Sequence, residues 1–334
     1  MALYLVTGGC GFIGSHLCAA LRARGDRVRV LDDLSTGSES NLAPGAELVR
    51  GDVADPAVVR RAMADVDGCF HLAAIASVER GVREWMSTHR ANLSGTIGIL
   101  EEASRAQGRI PVVYASSAAV YGNCDALPLT EDTPAWPLSA YGADKLGCEL
   151  HARVAGVVHQ VPSAGLRFFN VFGPRQDPRS PYSGVISIFC DRLSRGEPVS
   201  IFGDGEQTRD FVFVADVVAA LVAAMEQVST AAPVFNICTG RPTSVRELAA
   251  TVADLCGAHL EVRQQPPRSG EIRHSLGSPR LAQAKLGLSP PEGLSDGLAK
   301  VVAWLRAGQP GLTHAQRSDE EPANRETDRK PAYQ

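Results

Sequence analysis

The segment TGGCGFIGSHL, Thr7 to Leu17, constrains this chain more than any other. It sets Gly8, Gly11 and Gly14 at a GxxGxxG spacing between an apolar run, LYLVTGG, and a helical pattern, GSHLCAALRARG. Glycine is needed where a strand turns sharply into a helix and where main-chain N–H groups must approach a pyrophosphate; the helix N-terminus adds favourable potential. A lone glycine triplet also occurs in ordinary turns, but placed between the first strand and the first helix it reads as a dinucleotide-binding turn. RVRVLDD follows and ends on Asp32 and Asp33. A carboxylate there accepts hydrogen bonds from the adenosine ribose hydroxyls and repels a 2′-phosphate. No Lys or Arg follows before Arg50, so NAD is favoured over NADP.

The same alternation continues. GCFHLAA precedes the helical stretch THRANLSGTIGILEEASRAQ, PVVYASS precedes a helix carrying YGADK, and SAGLRFFNVFG closes the series. Short apolar runs separated by longer helices predict an α/β fold, a Rossmann-type doubly wound parallel sheet. After Phe172 the pattern turns irregular, GPRQDPRSPYSG, then mixes helices with short strands. The expected division is a nucleotide-binding domain of residues 1–174 plus about 209–245, and a smaller mixed α/β substrate domain of about 175–208 plus 246–306. Residues 307–334 are polar, without apolar periodicity, and read as a disordered tail.

Composition narrows the classes. A net charge of −4 gives no electrostatic reason to expect a nucleic-acid partner. No apolar run is long enough for a membrane span. The opening MALYLVTGG lacks a basic segment and a cleavage site, which predicts a cytoplasmic protein. Eight cysteines without a CxxC pair signal neither a disulfide framework nor a metal site.

YGADK puts Tyr141 and Lys145 one helical turn apart, shortly after SSAAVYG. Tyrosine, with an ordinary pKa of about 10, is a poor base at neutral pH, and a nearby ammonium favours its phenolate. The pair therefore reads as a base and the group that tunes it. Cys148 and Glu149, on the same helix, suggest no chemistry of their own, and His71, at the end of an apolar strand, reads as structural.

Taken together, TGGxGFIG, GDV at 51–53, HLAA at 71–74, SSAAVYG and YxxxK resemble the extended short-chain dehydrogenase/reductase family. RFFNVFGPRQDP, SGVISIF, GDGEQTRDFVFVADV and RSGEIRHS narrow the resemblance to NAD-dependent nucleotide-sugar epimerases, most like the UDP-glucose and UDP-N-acetylglucosamine 4-epimerases. The resemblance implies Ser117, Tyr141 and Lys145 as catalytic residues. It implies a cofactor set of Gly8, Gly11, Phe12, Ile13, Gly14, Asp32, Asp33, Asp52, Val53, Leu72, Ala73, Ala74 and Asn92, with Tyr141 and Lys145, around NAD. For a UDP-sugar substrate it implies Ser77, Ser117, Tyr141, Asn170, Val185, Phe202, Arg209, Arg268, Glu271 and Ser275. Arg209 and Arg268 would clamp the pyrophosphate, Glu271 would meet the uridine ribose, and a small Ser275 would leave room for an N-acetyl group. A homodimer, through helices around 88–106 and 140–158, is implied as well. Related 4,6-dehydratases carry an Asp-Glu pair where this chain has Ala118 and Ala119, which argues against dehydration. UDP-glucuronate 4-epimerases, which typically have Thr in place of Asn170, remain the nearest rival. A non-catalytic NAD sensor would be expected to have lost Tyr141 or Lys145.

Overall fold

The computed structural model describes residues 1–106, 109–178, 184–267 and 272–308. Its strands, in chain order, are β1 (Leu3–Thr7), β2 (Arg27–Asp32), β3 (Glu47–Arg50), β4 (Gly68–His71), β5 (Val112–Ser117), β6 (Ser163–Phe168), β7 (Asn170–Phe172), β8 (Val199–Phe202), β9 (Thr208–Phe213), β10 (Val234–Ile237), β11 (Pro242–Ser244) and β12 (Val262–Gln265). The helices are α1 (Phe12–Ala23), α2 (Pro56–Met63), α3 (Val78–Arg83), α4 (Trp85–His89), α5 (Gly95–Arg105), α6 (Ala140–His159), α7 (Val185–Ser194), α8 (Val214–Met225), α9 (Val245–Cys256), α10 (Arg280–Leu286) and α11 (Leu294–Arg306).

Seven strands form one parallel sheet in the order β10-β6-β5-β4-β1-β2-β3. The chain builds outward from β1 to β3, then returns to β4 on the other side of β1. That reversal opens a crevice at the C-terminal ends of β1 and β4, where such sheets bind ligands. Both faces are covered, as the near-continuous apolar strands require. On one face Leu17 and Leu21 of α1, Val217 and Leu221 of α8 and Ala282 of α10 pack into a core with Val6, Val30 and Val113. On the other, Val59 and Met63 of α2, Ile99 and Leu100 of α5 and Ala152 of α6 meet Leu5, Leu31 and Val112. A third core joins α7, α9 and α11 around Phe189, Leu248 and Leu298.

Three features depart from the sequence reading. β3 and α2 lie in a stretch that the apolar runs did not mark. The run SAGLRFFNVFG is divided, because β7 leaves the large sheet and pairs in parallel with β9 in a three-stranded sheet, Asn170 opposite Phe211. The expected helix over residues 88–106 is broken: α4 passes into one π-helical turn, Arg90–Ser94, before α5. Within that turn, Asn92 Oδ1 accepts from Ile75 N at 2.7 Å while its Nδ2 donates to Ile75 O at 3.3 Å. α11 ends at Arg306 as read from the sequence, and residues 309–334 lie outside the described residues. Among the described residues no helix is long and apolar enough to cross a membrane.

Candidate active site

The crevice is a cleft of about 460 Å³ at the switch point of the sheet. Its floor is the glycine turn. Gly8 has φ +70°, and a Cβ there would come within 2.9 Å of Ala73 N. A Cβ on Gly14 would fall 2.1 Å from Gly8 O. The turn therefore closes only with no side chain at those two positions. Gly11 caps α1 with no side chain of its own, so no side-chain cap bond takes the first-turn N–H groups of that helix. Asp32 stands at the end of β2, where its carboxylate accepts from Cys10 N and Leu34 N, both at 2.9 Å. Burial raises the Asp32 pKa, and those two backbone donors partly offset the effect. Asp33 is held by Ser35 N at 2.9 Å. A glycine cradle beside a helix N-terminus, with a carboxylate at the end of the second strand, fits a dinucleotide.

The roof is the loop after β4. Thr7 Oγ1 accepts from Leu72 N and Ala73 N, both at 3.1 Å, and therefore donates its own proton to His71 Nδ1 at 2.8 Å. The other ring nitrogen, Nε2, meets Thr96 Oγ1 at 3.0 Å, and the Thr96 hydroxyl donates to Asn92 O. Burial first, and the Lys145 ammonium second, lower the His71 pKa to about 3, so the imidazole is neutral.

α6 supplies the polar end of the cleft. Its first turn is capped by Ser139, whose Oγ accepts from Gly142 N at 3.1 Å. Tyr141 follows on that turn. Lys145 is 2% exposed, donates to Ala115 O at 2.9 Å and lies 5.9 Å from the Tyr141 ring centroid. Ser117 ends β5, and its Oγ accepts from Ala119 N at 3.1 Å, which leaves the hydroxyl proton for the cleft.

Gly8, Gly11, Phe12, Ile13, Gly14, Asp32, Asp33, Asp52, Val53, Leu72, Ala73, Ala74, Ser117, Tyr141, Lys145 and Asn170 all line this one cleft. Asn92 does not; it is fully buried and grips the roof loop from behind. Ser77, Val185, Phe202, Arg209 and Ser275 are not among the lining residues either. Ser77 caps α3, accepting from Arg80 N, Val185 opens α7, and Phe202 ends β8. Ser275 lies in a segment that runs beside β9: its N donates to Thr208 O at 3.1 Å, and Arg209 donates to Arg273 O. Arg268 and Glu271 lie outside the described residues.

Sequence reading passed over a buried polar cluster behind the cleft. Glu149 of α6 and Arg167 of β6 form a two-pronged ion pair at 2.9 and 2.7 Å. Burial alone would lower the Arg167 pKa, but its bonds to Glu149 raise it above the ordinary value. Gln176, another cleft residue, was also missed. The available signal for the cluster was an arginine inside the apolar strand SAGLRFF, where a charge needs a partner.

A glycine turn that fits a dinucleotide, a carboxylate at the end of the second strand and a Ser–Tyr–Lys set share one cleft in a Rossmann fold, an arrangement suited to chemistry beside a nicotinamide cofactor. The chain belongs to the NAD dependent epimerase/dehydratase family, whose model matches residues 4–238. It is 40% identical over 317 residues to the UDP-glucose 4-epimerase of Mycolicibacterium smegmatis, covering 90% of this chain and 98% of that one. The Thermotoga maritima UDP-glucose 4-epimerase, solved with UDP-glucose, superposes with a TM-score of 0.88 at 37% identity, covering 92% and 99%. The UDP-N-acetylglucosamine 4-epimerase of Methanobrevibacter ruminantium, in complex with UDP-N-acetylmuramic acid, superposes with a TM-score of 0.87 at 33% identity, covering 92% and 99%. NAD is the cofactor of the protein.

Proposed function

We propose that the protein is a cytoplasmic UDP-sugar 4-epimerase with tightly held NAD, interconverting UDP-glucose and UDP-galactose. The observation that carries this is the convergence of Ser117, Tyr141, Lys145 and Asn170 on the cleft floored by the dinucleotide turn. Likeness to the two 4-epimerases supports the substrate class. Gly8, Gly14 and Asp32 would hold NAD, which would supply the hydride acceptor and donor for carbon 4 of the sugar. Tyr141 takes the proton from the carbon 4 hydroxyl and later gives it back. Ser117 donates a hydrogen bond to the oxygen as it becomes a ketone. Lys145 anchors the nicotinamide ribose, fixed in place by Ala115 O. Asn170 and Arg209 grip the sugar–diphosphate so that the 4-keto sugar can turn between the two hydride transfers. Net redox is zero, which is why the cofactor stays bound. Residues 1–174 with 209–245 act as the nucleotide-binding unit, and 175–208 with 246–306 close over the sugar nucleotide. The alanines at 118 and 119 offer no acid for loss of water, which disfavours a dehydratase.

Purified protein is incubated with UDP-hexoses, UDP-N-acetylhexosamines and UDP-uronates, and products are separated. Tyr141→Phe keeps its NAD and lowers turnover by about 100-fold. Wild-type turnover in that variant, or product formed only from uronates, refutes the assignment. A second substrate pair, the UDP-N-acetylhexosamines, is suggested by Ser275, which is small and stands beside Arg209. Tyrosine at that position would overfill the sugar wall. Ser275→Tyr is expected to lose the N-acetyl activity while keeping the glucose activity; equal loss of both removes Ser275 from the pocket.

A further inference from the structure

We propose that Glu149 and Arg167 are positioning residues that hold the helix of Tyr141 and Lys145 in register with the strand of Ser117. This rests on the proposed epimerase reading for what is being positioned. Glu149 lies one turn beyond Lys145 on α6, and its carboxylate reaches two strands at once. It accepts the hydroxyl of Ser116, the neighbour of Ser117, and both prongs of Arg167 on β6. Arg167 continues to the Tyr121 hydroxyl at 2.8 Å, in the turn that follows Ser117, and lies 4.8 Å above that ring. Tyr121 in turn donates to Asn236 of β10 at 2.6 Å. The pair thus joins the catalytic helix, the serine strand and its turn, and the strand leading to Asn170. Both side chains are over nine-tenths buried.

A buried ion pair is a poor way to gain stability. Desolvation offsets its attraction, and apolar side chains of similar volume often serve the fold as well or better. What apolar packing lacks is direction. A two-pronged carboxylate–guanidinium contact fixes distance and plane together. Register matters here because proton transfer needs Tyr141 and Ser117 on the same oxygen, and a misplacement of about 1 Å in a reacting group lowers rates about 100-fold.

The test is the double variant Glu149→Leu/Arg167→Met in the full chain, with Tm, NAD content, kcat and KM measured against wild type. We expect Tm at or above wild type, unchanged NAD content, KM within about threefold and kcat lower by about 10- to 100-fold. Wild-type kcat in the folded double variant overturns the proposal, as does a kcat that falls only in step with Tm. Should that protein not fold, Arg167→Lys, which keeps the charge but not the two-pronged geometry, is judged by the same split. A wild-type protein that turns over no UDP-sugar refutes the epimerase reading instead. The pair is then judged by amide hydrogen exchange: selective loss of protection in residues 112–121 and 140–149 supports it, and unchanged exchange there overturns it.

Discussion

The imidazole of His71 lies between two hydroxyls that leave it no room for a second proton. Thr7 spends both acceptor positions on the roof loop and so donates to Nδ1, while Thr96 accepts from Nε2. Protonating Nδ1 would set two donors against each other and bury a charge beside Lys145. With the folded pKa lowered to about 3, from an ordinary value of 6.5, the unfolded chain binds the extra proton first as pH falls. The stability from neutral His71 is therefore complete above pH 6.5 and is lost as pH falls from there towards 3, by at most about 1.4 kcal/mol per pH unit. His71→Asn, which still accepts from Thr7, should flatten this part of the stability curve relative to wild type. Denaturant unfolding at successive pH values measures it, and identical slopes in the two proteins would show that His71 does not titrate there.

Among the elements, α6 carries Tyr141 and Lys145 of the cleft together with buried Glu149. Its stripe of Ala143, Gly147, Leu150 and Val154 is exposed or half-exposed, while Lys145 and Glu149 point to buried partners in β5 and β6. Its N-terminus depends on Ser139, which satisfies one of the first-turn N–H groups. Tyr141 is only two residues beyond that cap. Ser139→Ala should cost about 1 kcal/mol of stability through the lost cap. It should also lower turnover several-fold, because the turn that frays is the one bearing the base, while NAD content is unchanged. Chemical denaturation and steady-state rates on the same preparation decide this: reduced stability with wild-type turnover would mean that the first turn is held by other contacts. The π-helical turn at Arg90–Ser94 shows the same economy, since it gives up regular bonding to aim Asn92 at the roof loop.

At the scale of the whole molecule, α6 leaves a stripe of large apolar side chains uncovered. Leu150, Val154, Val157 and Val158 are each more than half exposed, at roughly helical spacing. We propose that a second copy of the chain covers this face together with the neighbouring α5, as an isologous two-fold contact. Sedimentation should then give a dimer for the wild type and a monomer for Val154→Glu. A monomeric wild type, or an unaffected variant, removes the interface. The cleft lies at the other end of α6, beside Tyr141, so the monomeric variant is expected to keep NAD.

Local chemistry made the nucleotide half of this protein legible before any coordinates. Gly8 and Gly14 are demanded by the turn they form, Asp32 stands at a strand end, and Tyr141 and Lys145 are one helical turn apart. Each of those relations spans a few residues, so spacing alone carries it. The strand order around β1 follows nearly as directly, because alternating strands and helices admit few windings. What tertiary structure decided were contacts between residues distant along the chain. The pairing of β7 with β9, which brings Asn170 near Arg209, could not be read from SAGLRFFNVFG, where one apolar run serves two sheets. Glu149 suggested no chemistry in the sequence, and its buried partner Arg167 is set only by the packing of α6 across β6. Asn92, a cofactor residue by resemblance, is buried, and its carboxamide grips Ile75 in the loop that lines the cleft. A buried polar group is defined by its partner, and partners are chosen by the packing of elements rather than by spacing along the chain.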